Sequence, residues 1–257
     1  LTALVTGGAQ RIGRQIVLAL ARLGFDVAIH CHRSVSQAEA TANEVRALGV
    51  QAWVFEADLL DHGSVETLIP RINETAGPLS VLVNNASIFE EDSIHTATRE
   101  SWDRHLDSNL RAPFTLIQHF AAQHTASASL RRSDLWGLPL VVNIIDQRVM
   151  KPRPDYLTYS LAKAGLWWLT RTSAQALAPD IRVNAIAPGP TLKGARQAEA
   201  DFARQSQATL LQRGPDPEEI SDAVSYLLRA RSVTGQMICV DGGQHLAWQT
   251  PDAVVPE

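Results

Sequence analysis

Short apolar runs alternate with helix-spaced segments along the chain, and this alternation limits the fold more than any other feature. Leu1-Thr2-Ala3-Leu4-Val5 is a short buried-strand candidate. Ile12, Ile16, Val17, Leu20 and Leu23 then keep helical spacing up to Gly24, where a helix stops. Residues 25–31 read as a strand, 36–48 as a helix, 51–57 as a strand and 62–76 as a helix. Val81-Leu82-Val83 is the centre of a fourth strand. The rhythm continues less tightly. It predicts a long helix over 100–124, a strand over 140–145, a helix over 156–177, a strand over 181–186, a helix over 217–228 and a last strand over 237–240.

Such alternation makes a mainly parallel sheet flanked by helices on both faces. Right-handed crossovers turn seven such strands into one doubly wound, Rossmann-type α/β sheet. No repeat or linker divides the 257 residues, so residues 1–257 are expected to be a single domain. A content of 45% hydrophobic and 19% charged residues excludes a disordered or fibrous chain. A net charge of -4 gives no electrostatic reason to bind nucleic acid, and Arg131 and Arg132 are isolated. No apolar run approaches the ~18 residues that span a membrane. Leu1 to Val5 carries no charged leader, and the expectation is a soluble, cytoplasmic protein. Cys31 and Cys239 make no disulfide framework or zinc module. Thr125 to Pro139 is expected to be a surface loop, and residues 249–257 a tail, partly disordered or reaching a neighbouring subunit.

Thr6-Gly7-Gly8-Ala9-Gln10-Arg11-Ile12-Gly13 follows the first strand and opens the first helix. Gly7 permits a tight turn, and Gly13 lets the helix pack close to the strand. The N–H groups of the helix start can then receive a pyrophosphate. The end of the second strand carries His32-Arg33-Ser34 and no carboxylate. Arg33 can pair with a ribose 2′-phosphate and Ser34 can add a hydroxyl, which favours NADPH. A metal site from His30, Cys31 and His32 is disfavoured because alternate strand residues point to opposite faces, so no metal is expected.

Seven motifs in order resemble the short-chain dehydrogenase/reductase family over nearly the whole chain. They are the glycine turn, Asp58, Asn84-Asn85-Ala86, Asn109, Tyr159-Ser160-Leu161-Ala162-Lys163, Pro188-Gly189-Pro190-Thr191 and Asp241-Gly242-Gly243. The resemblance implies that Asp58 meets the adenine amine and that Asn109 anchors a water chain. It places Ile12, Leu59, Asn85, Ala86, Pro188, Gly189 and Thr191 among the cofactor contacts. Tyr159 and Lys163 lie four apart, so on a helix they share a face. A neighbouring ammonium would lower the tyrosine pKa, and Tyr159 could pass a proton as hydride arrives. The resemblance has Lys163 also bond the nicotinamide ribose. It implies a homotetramer as well, with the helix after Tyr159 in an interface. At least one of Trp167 and Trp168 is expected there.

Two positions depart from that family. A serine usually stands thirteen positions before the tyrosine, and here the residue is Asp146. An ionised aspartate donates no hydrogen bond and would repel a developing alkoxide. It suits a substrate with ring nitrogens, where N–H groups need an acceptor and a reduced C=N needs a proton. The second departure is Arg11, where the family usually has its middle glycine. With His32-Arg33-Ser34, Ser87, Phe89 and Asp146, Arg11 resembles the pteridine reductase branch and bacterial dihydromonapterin reductases. That branch implies Phe89 sandwiching a pterin against the nicotinamide. Ser87 and Arg11 would contact phosphates and pterin, and Asp146 and Tyr159 would deliver protons.

The expected activity is therefore NADPH-dependent reduction of a dihydropterin or folate-like small molecule. Two other readings stay open: a reductase of another carbonyl or imine, and a non-catalytic NADPH-binding sensor. Substrate shape would be set largely by the loop over 191–213, expected to act as a lid.

Overall fold

The computed structural model describes residues 1–126, 136–194 and 197–250. Seven strands form one sheet: β1 (Thr2–Val5), β2 (Asp26–Cys31), β3 (Ala52–Glu56), β4 (Leu79–Asn84), β5 (Leu140–Ile144), β6 (Arg182–Pro188) and β7 (Met237–Val240). Their order is β3-β2-β1-β4-β5-β6-β7, and every adjacent pair is parallel. The expected doubly wound sheet is present.

The strands are apolar because helices cover both faces. In β1, Ala3 and Val5 enter one core, with α1 (Arg11–Arg22), α2 (Val35–Ala47) and α8 (Pro217–Arg229). Leu4 enters the opposite core, with α3 (His62–Ala76) and α5 (Ala112–Ala126). β4 repeats this division, with Val81 and Val83 on the first face and Leu82 on the second. Two-residue side-chain periodicity thus feeds two cores from one strand.

The long helix predicted over 100–124 is α4 (Arg99–Leu106), a π-helical turn over Asp107–Arg111, and then α5. The helix bearing Tyr159 is α6 (Leu157–Leu177). Within the 191–213 region lies a helix that hydrophobic spacing did not announce, α7 (Glu199–Gln207), which buries no residue. Residues 195–196 of that region lie outside the described residues. So do 127–135 of the expected 125–139 loop, including Arg131 and Arg132, and 251–257 of the tail. α5 itself continues to Ala126.

Arg182 joins β6 to α8. Its buried guanidinium donates to the carbonyls of Leu227, Leu228 and Ala230, at 2.7–3.3 Å. It therefore satisfies the last turn of α8, where the helix dipole favours a cation. Among the described residues no helix is long and apolar enough to cross a membrane. No metal-ligating cluster occurs among them either.

Candidate active site

Parallel strands end together, so their carboxyl ends form one rim. Chain order reverses between β1 and β4, and their exits make the centre of that rim. The turn after β1 is tied to the exit of β4. Thr6 Oγ1 accepts from the N–H groups of Asn85 and Ala86 at 2.9 and 3.0 Å. Asn85 Nδ2 donates to the carbonyls of Thr6 and Gly7. Gly13 packs so closely that a Cβ would lie 2.1 Å from the Gly7 carbonyl oxygen. The close helix approach expected of Gly13 is thus present.

The first turn of α1 carries no acidic side chain and no side-chain cap. Its N–H groups fit an anion, as the pyrophosphate of a dinucleotide requires. Ile12 packs against the core beneath. Arg11 adopts a left-handed backbone, φ 56°, where a glycine costs less. Its guanidinium donates to the carbonyls of Leu192 and Lys193 at 3.2 and 3.0 Å. Arg11, expected near the phosphates and the substrate mouth, here clips the loop after β6.

The next rim segments sit beside this turn. His32 and Arg33 are exposed at the end of β2, and Ser34 caps the start of α2 without a side-chain bond. His32 Nε2 lies 3.6 Å from Asp58 Oδ2, so the exits of β2 and β3 face each other. Leu59 is buried in the second core. Beneath them His30 is a residue whose role the sequence did not disclose. Its Nδ1 accepts from the Gly7 N–H at 3.1 Å, which puts the ring proton on Nε2, facing the Ala57 carbonyl at 3.1 Å. Burial holds its pKa down at about 4, so it stays neutral.

Past β4, the loop carries Ser87 and Phe89, both exposed. Asn109, fully buried in the π-helical turn, clamps that loop. Its Oδ1 accepts from the Ile88 N–H at 2.9 Å and its Nδ2 donates to the Ile88 carbonyl at 2.8 Å. A π turn re-aims a side chain that a regular helix would point elsewhere, and such turns collect at functional sites. Phe89 is 43% exposed and is therefore not a core residue. It stacks on Tyr156, with centroids 4.2 Å apart and planes within 1°. The face expected for a pterin is thus covered by a tyrosine that sequence reading passed over. Tyr156 also holds a left-handed backbone, φ 54°.

Asp146 leaves β5 and meets α6. Its Oδ1 accepts from the Arg148 N–H at 2.8 Å, and its Oδ2 accepts from the Tyr159 hydroxyl at 2.9 Å. Burial pushes the carboxyl above the usual carboxylate range, while Arg148, Tyr159 and Lys163 act against it. Tyr159 is pushed well above its ordinary value, first by burial and then by the Asp146 charge. This corrects the expectation that Lys163 lowers it. Lys163 Nζ lies 5.7 Å from the Tyr159 ring centroid and donates to the Ile144 carbonyl at 2.9 Å. Burial lowers its own pKa to about 8, against the pull of Asp146. The proton of the pair therefore rests on the phenol, with the carboxylate as acceptor.

The rim closes at β6. Pro188 ends the strand, and a Cβ on Gly189 would lie 2.6 Å from Asp241 Cα, so the tail motif packs directly on this loop. Asp241 accepts from the Gly243 and His245 N–H groups. Thr191 is buried and donates to the Gly189 carbonyl. The rim thus brings together every strand exit that carries a predicted site residue.

Comparison with known proteins agrees with this fold. A family model described as Enoyl-(Acyl carrier protein) reductase matches residues 7–245. The 3-oxoacyl-[acyl-carrier-protein] reductase FabG of Staphylococcus aureus is 33% identical over 250 residues, covering 95% of this chain and 98% of that protein. FolM Alternative dihydrofolate reductase 1 from Brucella suis, solved in complex with NADP, is 49% identical with a TM-score of 0.89, covering 98% of this chain and 97% of that one. A blue fluorescent protein from a metagenomic library, solved with NADPH, is 31% identical with a TM-score of 0.84, covering 95% and 97%. The sequence motifs, the sheet and these likenesses agree: the chain belongs to the short-chain dehydrogenase/reductase family of oxidoreductases.

Proposed function

We propose that this oxidoreductase is an NADPH-dependent pteridine reductase that converts a dihydropterin or folate-like substrate to its tetrahydro form. The observation that carries the reading is the hydrogen-bonded Asp146–Tyr159 pair, in which a carboxylate stands where a ketone reductase needs a hydroxyl donor. The 49% identity to a protein titled dihydrofolate reductase and solved with NADP supports it. The glycine turn and the uncapped start of α1 fit NADPH, and Arg33 fits its 2′-phosphate.

When bound, NADPH supplies the hydride that reduces a ring C=N bond. The chain manages the accompanying proton. Asp146 accepts an N–H of the heterocycle and fixes its orientation, which neutral serine does less strongly. Tyr159 holds the transferable proton and releases it to the ring nitrogen as electrons arrive. Lys163, cationic below about pH 8, offsets the negative charge left on Tyr159. In this reading it also holds the ribose. Asn109 holds the loop that carries Phe89, and in this reading Ser87 and Arg11 contact the phosphates and the pterin.

The test is NADPH oxidation against dihydrobiopterin, dihydromonapterin, dihydrofolate and ketone substrates. Turnover of the dihydropterins, removed in large part by Asp146→Ala and Tyr159→Phe, is expected. A second reading, reduction of a 3-oxoacyl or related carbonyl, draws on the 33% identity to FabG. Ketone turnover without pterin turnover would establish it, and cofactor binding with no turnover at all would make the chain a sensor. The proposal includes a cytoplasmic homotetramer, prompted by Trp168, 65% exposed on α6, beside Trp167, which packs inward. Sedimentation measures its size.

A further inference from the structure

Arg148 has no part in the scheme above, yet it is buried at the centre of the site's aromatic and acidic groups. Its guanidinium carbon lies 4.9 Å from the Tyr156 ring centroid and 5.5 Å from that of Phe89. Its own main-chain N–H holds Asp146 Oδ1 at 2.8 Å, so the side chain starts two residues from the carboxylate. Among the described residues its ion pair is long: Nη1 to Asp155 Oδ1 is 3.5 Å, and Asp155 is already engaged by Arg153 at 2.8–2.9 Å. A buried guanidinium with so weak a carboxylate partner leaves much of its field for other anions nearby.

We propose that Arg148 is the positioning cation of this site. It clips the Phe89–Tyr156 stack with its planar face and sets its charge on the loop that holds Asp146 against Tyr159. The charged and titratable groups around the pair are few. Tyr159 and Lys163 face Asp146 from α6, Arg148 faces it from its own loop, and Asp155 and Arg153 lie behind Arg148. His105 meets the Tyr159 ring edge-on, centroids 6.1 Å apart, and is joined to Asp92 through Thr158, while Arg104 is paired with Glu90 further out. Lys163 is the other cation near Asp146, and its ammonium is committed to the Ile144 carbonyl. Arg148 acts on both members of the pair in one direction: it lowers the proton affinity of Asp146 and of Tyr159. A planar cation on two aromatic faces is a mechanical clip as well as a charge, and lysine retains only the charge.

The inference rests on the reading of Asp146 and Tyr159 as the proton-handling pair, but its test does not need the substrate. The full chain is labelled with carbon-13 at the aspartate carboxyls, and Asp146→Asn identifies the Asp146 signal. In Arg148→Gln the Asp146 titration midpoint is expected to rise by about one pH unit. In Asp155→Asn, which removes the competing carboxylate, it falls. Arg148→Lys keeps the midpoint near wild type but loses the clip, so KM for dihydrobiopterin rises several-fold while the acidic limb of kcat/KM stays in place. In Arg148→Gln that limb moves up with the carboxyl signal. Identical Asp146 midpoints in wild type, Arg148→Gln and Asp155→Asn overturn the inference. If Arg148→Gln fails to fold, the Asp155→Asn midpoint decides alone. A midpoint that moves in a protein that turns over no pterin overturns the pterin reading and leaves this inference standing.

Discussion

Tyr159 donates a hydrogen bond to Asp146 across 2.9 Å, the tyrosine buried and the aspartate half-buried. A buried carboxylate is costly even with two donors. The carboxyl of the unfolded chain titrates near the ordinary value, whereas burial raises it in the folded protein. Between those two points the folded state holds more protons, so stability falls as pH rises through the window. Asp146→Asn removes this cost and keeps an oxygen acceptor. It should raise the melting temperature at pH 7–8 and change it little near pH 3, while kcat/KM drops by about 100-fold. Thermal melts across pH, set beside NADPH oxidation, check both halves.

Arg33 is exposed at the end of β2, so changing it should leave the fold intact. Arg33→Asp places a carboxylate where a 2′-phosphate is expected and where a 2′-hydroxyl would be welcome. The ratio of kcat/KM for NADPH over NADH should fall by about 100-fold, the worth of a charge-assisted contact. An unchanged ratio would remove Arg33 from the cofactor site.

Gly13 and Gly63 both sit in first turns of helices, yet they predict opposite results. A methyl at Gly13 would meet the Gly7 carbonyl at 2.1 Å, whereas at Gly63 the nearest atom is an Asp61 carboxylate oxygen at 3.6 Å. Gly13→Ala should cost about 3 kcal/mol and abolish stabilisation by added NADPH. Gly63→Ala should be neutral or add up to about 1 kcal/mol. Denaturant midpoints with and without NADPH separate the two.

His30 should make the protein acid-sensitive. Its folded pKa, about 4, lies below that of an unfolded histidine, near 6.5. In that interval the unfolded chain binds more protons, so stability falls as pH drops from about 6.5 to about 4, by up to about 3 kcal/mol. Gln can replace both hydrogen bonds without titrating. His30→Gln should flatten this part of the stability curve, leaving the smaller slope from His105 and His124, whose pKa values burial also lowers.

The fold was legible because each strand obeys two constraints at once. Leu4, Val5, Leu82 and Val83 must fill two cores, and that demand writes apolar runs into the sequence. Gly7 was legible because its backbone is left-handed, φ 63°, and Gly13 because only a missing Cβ permits its contact. The π-helical turn was not, since one extra residue in a helix barely disturbs hydrophobic spacing. Nor was α7, which has no buried face to announce it. Spacing put Tyr159 and Lys163 on one face correctly. It could not show that Lys163 spends its ammonium on Ile144, or that burial dominates the tyrosine. Tyr156 and Arg148 escaped notice because their meaning lies in a contact with Phe89, nearly sixty residues or more away along the chain.

The Phe89–Tyr156 stack has a kinetic consequence. Two rings 4.2 Å apart leave no gap for a third, which needs about 3.5 Å on each side. A flat ligand that uses this face of Phe89 must evict Tyr156 and exchange one stacking contact for another. The net gain in attraction is then small, and the eviction is reversible at every visit. Toward such a ligand the tyrosine would be a resident competitor that covers the Phe89 face whenever the ligand is away.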